Sequence, residues 1–228
     1  MQIKINDLDV ELIRKNIKNM HLYVLRPDGK IRITAPARLS EEKIRAFVIS
    51  KLDWIYKQQD RIKNEPHVAP PSYSNGEKIY IFGKPYVLEV VVGSKPRKFV
   101  FCAGRAILYD KKGSSAEKRE KAINEGLREI LGAKIDELLP KWERITNLRP
   151  SSYQIKKMKS RWGTCNTLTK KIWLNLILAH KSEECIEYVI LHEICHLKVA
   201  NHGNDFVTLM DRYMPNWREI KKELNSTP

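Results

Sequence analysis

The chain has 228 residues, 42% of them hydrophobic, with 42 Lys and Arg against 27 Asp and Glu, a formal net charge of +15. That length can bury a real core, and the hydrophobic share excludes disorder over most of the chain. The positive excess makes polyanions natural long-range partners, whether nucleic acid, nucleotides or an anionic surface, and by itself says nothing about fold.

Residues 1–18 alternate charged and apolar side chains and contain no secretory apolar segment. No apolar run approaches membrane-spanning length, so no membrane partner is expected. The four cysteines, at 102, 165, 185 and 195, form no C-x-x-C pair. A reducing cytoplasm is the expected setting.

Residues 21–26 and 30–34 alternate in polarity around the turn-forming string Pro27-Asp28-Gly29, which predicts two strands, the second broken by Pro36. Ser40 is placed to cap a helix that carries Glu41 and Glu42 in its first turn. Ile44, Phe47, Val48, Leu52 and Ile55 recur on one face of it, and it should fade near Asn64, before the proline-rich stretch 65–72. Strand-like runs follow at 78–82, 86–92 and 98–102, separated by turns that contain Gly and Pro, and 106–109 adds a short one.

The string 111–115 reads as a seam between a β-rich N-terminal part with one long helix, residues 1–113, and a mostly helical part, residues 114–228, unless the two form one integrated domain. Residues 117–142 then form an amphipathic helix that Pro140 should kink or end. Two strands at 153–158 and 171–178 precede a helix capped by Ser182 and running to Ala200. Asn204 or Asp205 opens another helix, which Pro215 interrupts. The expected fold class is α+β, with a β-rich first half and a helical second half holding a small sheet.

His192-Glu193-Ile194-Cys195-His196 is an H-E-x-x-H segment. On a helix, residues four apart share a face, so both imidazoles can reach one ion while Glu193 stands beside it as a proton acceptor. The surrounding residues, from Cys185 to Ala200, are apolar on nearly every side. Two histidines and a carboxylate buried there would carry a large desolvation cost unless something satisfies them, and a metal does. A reversing turn at Asn201 in the left-handed conformation would bring His202 back over the helix face as a third ligand, with Glu219 or Glu223 as its rivals. Three ligands and an open fourth position suit a catalytic zinc. Cys195 is rotated away from that face and reads as a small packed hydrophobe.

Between Glu143 and Glu183 no acidic residue occurs, while Arg144, Arg149, Lys156, Lys157, Lys159, Arg161, Lys170, Lys171 and Lys181 do. Tyr153, Trp162 and Trp173 interleave with them, as stacking side chains do in nucleic-acid channels. Segment 144–181 is therefore a candidate surface for nucleic acid or another anionic partner, or else a solvated basic face.

The run Lys159-Ser160-Arg161-Trp162-Gly163-Thr164-Cys165, then Leu174-Asn175, Tyr188-Val189, the H-E-x-x-H segment with Leu197, Asn201-His202 and Phe206 resembles the YgjP-like metallopeptidase family of metal-dependent hydrolases. Ala35-Pro36, Phe47-Val48 and residues 51–55 are similar to its N-terminal part. The resemblance implies a zincin-like catalytic core, zinc on His192, His196 and His202, a general base at Glu193, and kinship with the SprT and WLM groups. Ligand spacing matches the metzincin proteases, but Val199 stands where those place a glycine.

The reaction expected is hydrolysis by a zinc-bound water that Glu193 deprotonates, with the proton then passed to the leaving group. Arg161 is the candidate for stabilising developing negative charge, against a purely structural role in its turn. Two substrate classes are open. A peptide or protein would lie along the strand around Leu174-Asn175-Leu176, pairing with it as an extended chain. A nucleotide would instead have its phosphates neutralised by the acid-free segment, making the protein a phosphohydrolase. A nucleic-acid-associated protein with a structural metal is the third reading.

Overall fold

In the computed structural model, residues 1–64, 71–93 and 96–226 are described, and the chain forms two compact units, Met1–Pro70 and Pro71–Pro228. The first unit begins with strands β1 (Gln2–Ile5) and β2 (Leu8–Lys15), an antiparallel hairpin. Strand β4 (Ile31–Pro36) runs parallel to β2 and antiparallel to β3 (His21–Val24), giving the order β1-β2-β4-β3. Alternate residues of β2 and β4 face inward, Val10, Leu12, Ile31 and Ile33 among them, and meet Ile44, Val48 and Ile55 from the helices.

The single helix expected over 40–64 is two, α1 (Glu41–Ile49) and α2 (Leu52–Asn64). The chain breaks at Ser50, whose hydroxyl donates to the Phe47 carbonyl at 2.7 Å and so competes with helix continuation. Most of the connection after Asn64, residues 65–70, lies outside the described residues.

The second unit starts with a four-stranded sheet ordered β5-β6-β8-β7, made of β5 (Lys78–Ile81), β6 (Lys84–Val92), β7 (Lys98–Cys102) and β8 (Arg105–Asp110). It leads into α3 (Ala116–Thr146). The seam expected near 113 thus falls inside one unit, because the sheet and this helix share a core. Gly126 of α3 approaches β7 so closely that a Cβ there would stand 2.7 Å from the Phe99 carbonyl oxygen. A carboxylate ties the junction. Asp110, 1% exposed, accepts from Arg97 Nε at 2.7 Å and from Arg119 Nε of α3 at 2.8 Å. Those two guanidiniums hold its carboxyl well below the usual carboxylate range against the opposing effect of burial.

Pro140 does not end α3, which continues to Thr146. Ile135, Trp142 and Thr146 are buried on either side of it, and that packing outweighs the loss of one helical hydrogen bond.

After α3 comes a three-stranded sheet ordered β10-β11-β9, from β9 (Ser152–Lys156), β10 (Gly163–Asn166) and β11 (Lys171–Asn175). Strand β11 stops at Asn175 and a 3₁₀ turn, Leu176–His180, takes over. Helix α4 (Glu183–Cys195) follows, capped by the Ser182 hydroxyl accepting from Cys185 N–H at 3.3 Å. Helices α5 (Asn204–Tyr213) and α6 (Trp217–Asn225) complete the unit. The fold is mixed α+β, with its strands concentrated in the first half and helices dominating the second. Among the described residues no helix is long and apolar enough to cross a membrane.

Candidate metal centre

Helix α4 is buried on almost all sides because its sequence is apolar almost all round, from Cys185 to Cys195. His192 and His196 project from it four residues apart, and their Nε2 atoms lie 3.2 Å from each other. The chain leaves the helix through residues 196–203. Asn201 does not adopt the expected left-handed conformation; its side-chain Oδ1 instead accepts from Gly203 N–H at 3.2 Å and forms the turn locally. The turn brings His202 Nε2 to 3.0 Å from His192 Nε2. Phe206 of α5 lies beneath all three rings, its centroid 4.8, 4.7 and 4.8 Å from those of His192, His196 and His202.

The rival ligands lie elsewhere. Glu223 Oε1 accepts from the Ser182 hydroxyl at 2.7 Å, and neither it nor Glu219 belongs to the cluster, in which the three imidazoles offer ligand atoms within 4.8 Å of one another.

The three imidazoles fit a metal ion. Nitrogens bound tetrahedrally to zinc are about 3.3 Å apart, close to the 3.2 and 3.0 Å from His192 Nε2 to the other two rings. His196 Nδ1 lies 3.0 Å from the Val199 carbonyl, a contact that fixes the proton on Nδ1 and leaves Nε2 a bare lone pair pointing into the cluster. A cation among the three nitrogens would be bound by that lone pair and by one from each of the other two rings. Among the described residues two buried polar atoms also lack a hydrogen-bonding partner, His192 Nδ1 and Glu193 Oε2.

Glu193 is 3% exposed and faces strand β10. Burial pushes its carboxyl up to about 8, the Arg161 guanidinium pulling the other way. Burial likewise holds His192 down to about 3, reinforced by His196, His202 and Lys221. His196 is lowered chiefly by burial. All three groups are thus held toward their neutral forms, the state in which an imidazole can ligate a metal.

The cluster opens into a cleft of about 500 Å³ between β10 on one side and α4 with α6 on the other, with Arg161, Trp162, Tyr188 and Lys221 on its walls. Arg161 is exposed in the turn before β10. Buried Asn175 holds that turn in place. Its Nδ2 donates to the Met158 and Arg161 carbonyls at 2.9 and 2.8 Å, and its Oδ1 accepts from Met158 N–H at 3.1 Å. The strand expected to pair with an extended substrate has no free edge. β11 is the middle strand, flanked by β10 and β9, and Leu174, Asn175 and Leu176 are buried. The open edge beside the cleft belongs to β10.

The basic side chains of segment 144–181 are exposed, except for half-buried Lys181, and several have partners. Lys157 pairs with Glu120 at 2.5 Å and Arg149 with Glu143 at 3.2 Å; Lys156 lies over the Trp173 ring and Lys181 over that of Trp162. The tyrosine and both tryptophans are anchored too, Tyr153 to Asp136, Trp162 to Asn225 and Trp173 to Gln154.

Four residues of the site escaped the sequence reading of roles: Gly163, Asn175, Phe206 and Lys221. Only Gly163 carries a local signal, since a glycine inside a strand often marks a close approach. A Cβ on it would meet Glu193 Oε1 at 2.5 Å.

An α+β fold in which three imidazoles and a carboxylate converge on one open cleft defines a metal-dependent hydrolase. The chain belongs to the YgjP-like family, whose metallopeptidase domain matches residues 18–227. Two solved structures resemble part of it. One is the metallopeptidase zymogen of Pyrococcus abyssi abylysin, 22% identical over 39% of this chain and 89% of that one, at a TM-score of 0.37. The other is the metallopeptidase zymogen of Methanocaldococcus jannaschii jannalysin, 28% identical over 40% and 87%, at the same TM-score. No curated protein matches the chain.

Proposed function

We propose that this protein is a zinc peptidase in which His192, His196 and His202 hold the metal and Glu193 is the general base. The observation that carries the reading is the convergence of those four side chains on a cleft bordered by an unpaired strand edge. Zinc, when bound, supplies a Lewis acid and acidifies the attacking water.

The protein's own groups do the rest. Extended substrate backbone adds to the free edge of β10 by main-chain hydrogen bonds, which hold a peptide bond across the cleft. Glu193, buried and without a partner at Oε2, is held neutral by burial alone and would be ionised by a cation among the adjacent imidazoles; as that carboxylate it takes a proton from the attacking water and returns it to the leaving amine. Arg161, on the β10 side, stabilises the negative charge that develops on the carbonyl oxygen. Nucleotide hydrolysis is the second reading, favoured by one observation, the pair of cations Arg161 and Lys221 in the cleft.

The test is turnover of an unbiased peptide library and of nucleoside triphosphates by zinc-loaded protein. Peptides should be cut, and Glu193→Gln should keep its zinc while losing about two or more orders of magnitude in rate. Unchanged turnover by Glu193→Gln would remove it from the chemistry.

A further inference from the structure

Lys221 has no part in the reaction just described, yet it lines the cleft beside the histidines. Its Nζ lies 5.6 Å from the centroid of the Trp217 ring. Trp217 stacks on Tyr188, with centroids 6.4 Å apart and planes within 2°, and Tyr188 in turn leans on His192 at 5.7 Å. The ammonium therefore sits at the outer end of an aromatic stack that ends at the metal cluster.

A second cation covers the same indole, Arg218 at 4.5 Å, but it is neutralised by Asp211, Nη2 to Oδ2 at 3.3 Å. Lys221 has no such counterion among the described residues, and Glu193 is the one acidic side chain on the cleft walls. It shares the cleft with apolar Tyr188, Val189 and Leu224 and with polar Asn225 and the cation Arg161. The backbone at Lys221 is also fixed. Its carbonyl accepts from Asn225 Nδ2 at 2.8 Å, and Asn225 Oδ1 accepts from Trp162 Nε1 at 3.0 Å, tying the last turn of α6 to the flank of β10.

We propose that Lys221 forms an anion subsite next to the scissile bond, selecting peptides that present a carboxylate there. That carboxylate is an Asp or Glu side chain or the peptide's own C-terminus. The inference rests on the peptidase reading above. An ammonium with no counterion gains a charge-assisted hydrogen bond from a carboxylate, gains little from a neutral amide, and repels a cation. The preference for Glu over Gln should be about tenfold, the size of one charge-assisted hydrogen bond at a site that is exposed until substrate covers it.

The experiment uses zinc-loaded full-length protein and quenched-fluorescence peptides that differ only in Glu, Gln or Lys on either side of the cut bond, each with a free or amidated C-terminus. Binding of the same peptides to the Glu193→Gln variant is measured in parallel by fluorescence anisotropy. Wild type should favour Glu over Gln about tenfold in kcat/KM on one side of the bond. Lys221→Met should bring that ratio to about one, and Lys221→Glu should invert the order in favour of Lys. If instead the gain follows the free C-terminus, the subsite takes the terminal carboxylate.

Glu peptides that bind in a Lys221-dependent way but are never cut would uphold the subsite and sink the peptidase reading. Glu and Gln peptides cut equally well, or a Glu preference unchanged in Lys221→Glu, would overturn the subsite and leave the peptidase reading intact. Absence of any discrimination together with tight, Lys221-dependent binding of a nucleoside triphosphate would overturn it in favour of phosphate.

Discussion

Gly163→Ala should separate catalysis from folding and from metal binding. Strand β10 passes Glu193 so closely that a methyl group at position 163 would stand 2.5 Å from Oε1, 2.8 Å from Cγ and 2.9 Å from Cδ. The glycine is not required by its backbone conformation, since it is absent from the residues with positive φ; it is required by the carboxylate beside it. To regain ordinary contact the carboxylate must withdraw by about 1 Å. The atoms displaced lie at the end of a side chain, so the fold should lose only about 1 kcal/mol, the low end of what an extra buried methyl costs. A misplacement of that size at a reacting group costs about a hundredfold in rate. The assay is zinc content, thermal midpoint and kcat/KM on one peptide, compared with Glu193→Gln. Full zinc, a small change in Tm and a rate about a hundredfold down are expected. Wild-type kcat/KM in Gly163→Ala would refute the reasoning, because Glu193 could then act from a displaced position or not act at all.

Asn175→Ala should cost about 2 kcal/mol in urea unfolding, because it leaves the carbonyls of Met158 and Arg161 without their buried donor, and it should lower kcat/KM by loosening the turn that carries Arg161. Asp110→Ala should cost about 3 kcal/mol at neutral pH, since it strands Arg97 and Arg119 at the joint between the β5–β8 sheet and α3. Asp110 has a folded-state pKa below its unfolded one, so the stability it contributes is present above about pH 4 and is lost as the pH falls toward the folded value. Unfolding free energy followed from pH 6 downward should therefore decline more steeply in the wild type than in Asp110→Asn; parallel curves would exclude that linkage.

Much of this arrangement was legible in local sequence. The H-E-x-x-H spacing, the apolar surroundings and the Ser182 cap specify α4 with both imidazoles on one face, and His202 follows because the chain must turn directly afterwards. The strands at 78–110 showed themselves by alternation between Gly-Pro turns. Strands β1 and β2 carry the same alternation, Leu8, Val10 and Leu12 pointing inward, but charged residues among them and the absence of a glycine or proline turn leave their boundaries unmarked. Other features are tertiary and leave little trace in a window of neighbours. Pro140 stays within α3 because residues on both sides are buried against other elements. The break at Ser50 has no glycine or proline to mark it, and the division near residue 70 rather than 113 depends on a sheet resting on a later helix. Lys221 joins the site from α6, well beyond the end of the motif at His196, so periodicity around the histidines could not find it.

Metal content bears most directly on the central claim, that the three imidazoles exist to hold one catalytic zinc. Protein purified without chelators and measured by inductively coupled plasma mass spectrometry should carry about one zinc per chain. His192→Ala, His196→Ala and His202→Ala should each lose most of it, while Glu193→Gln and Lys221→Met retain it. A wild-type protein that neither arrives with a divalent metal nor takes up zinc on titration, or a His202→Ala variant that binds as tightly as the wild type, would contradict the three-histidine site.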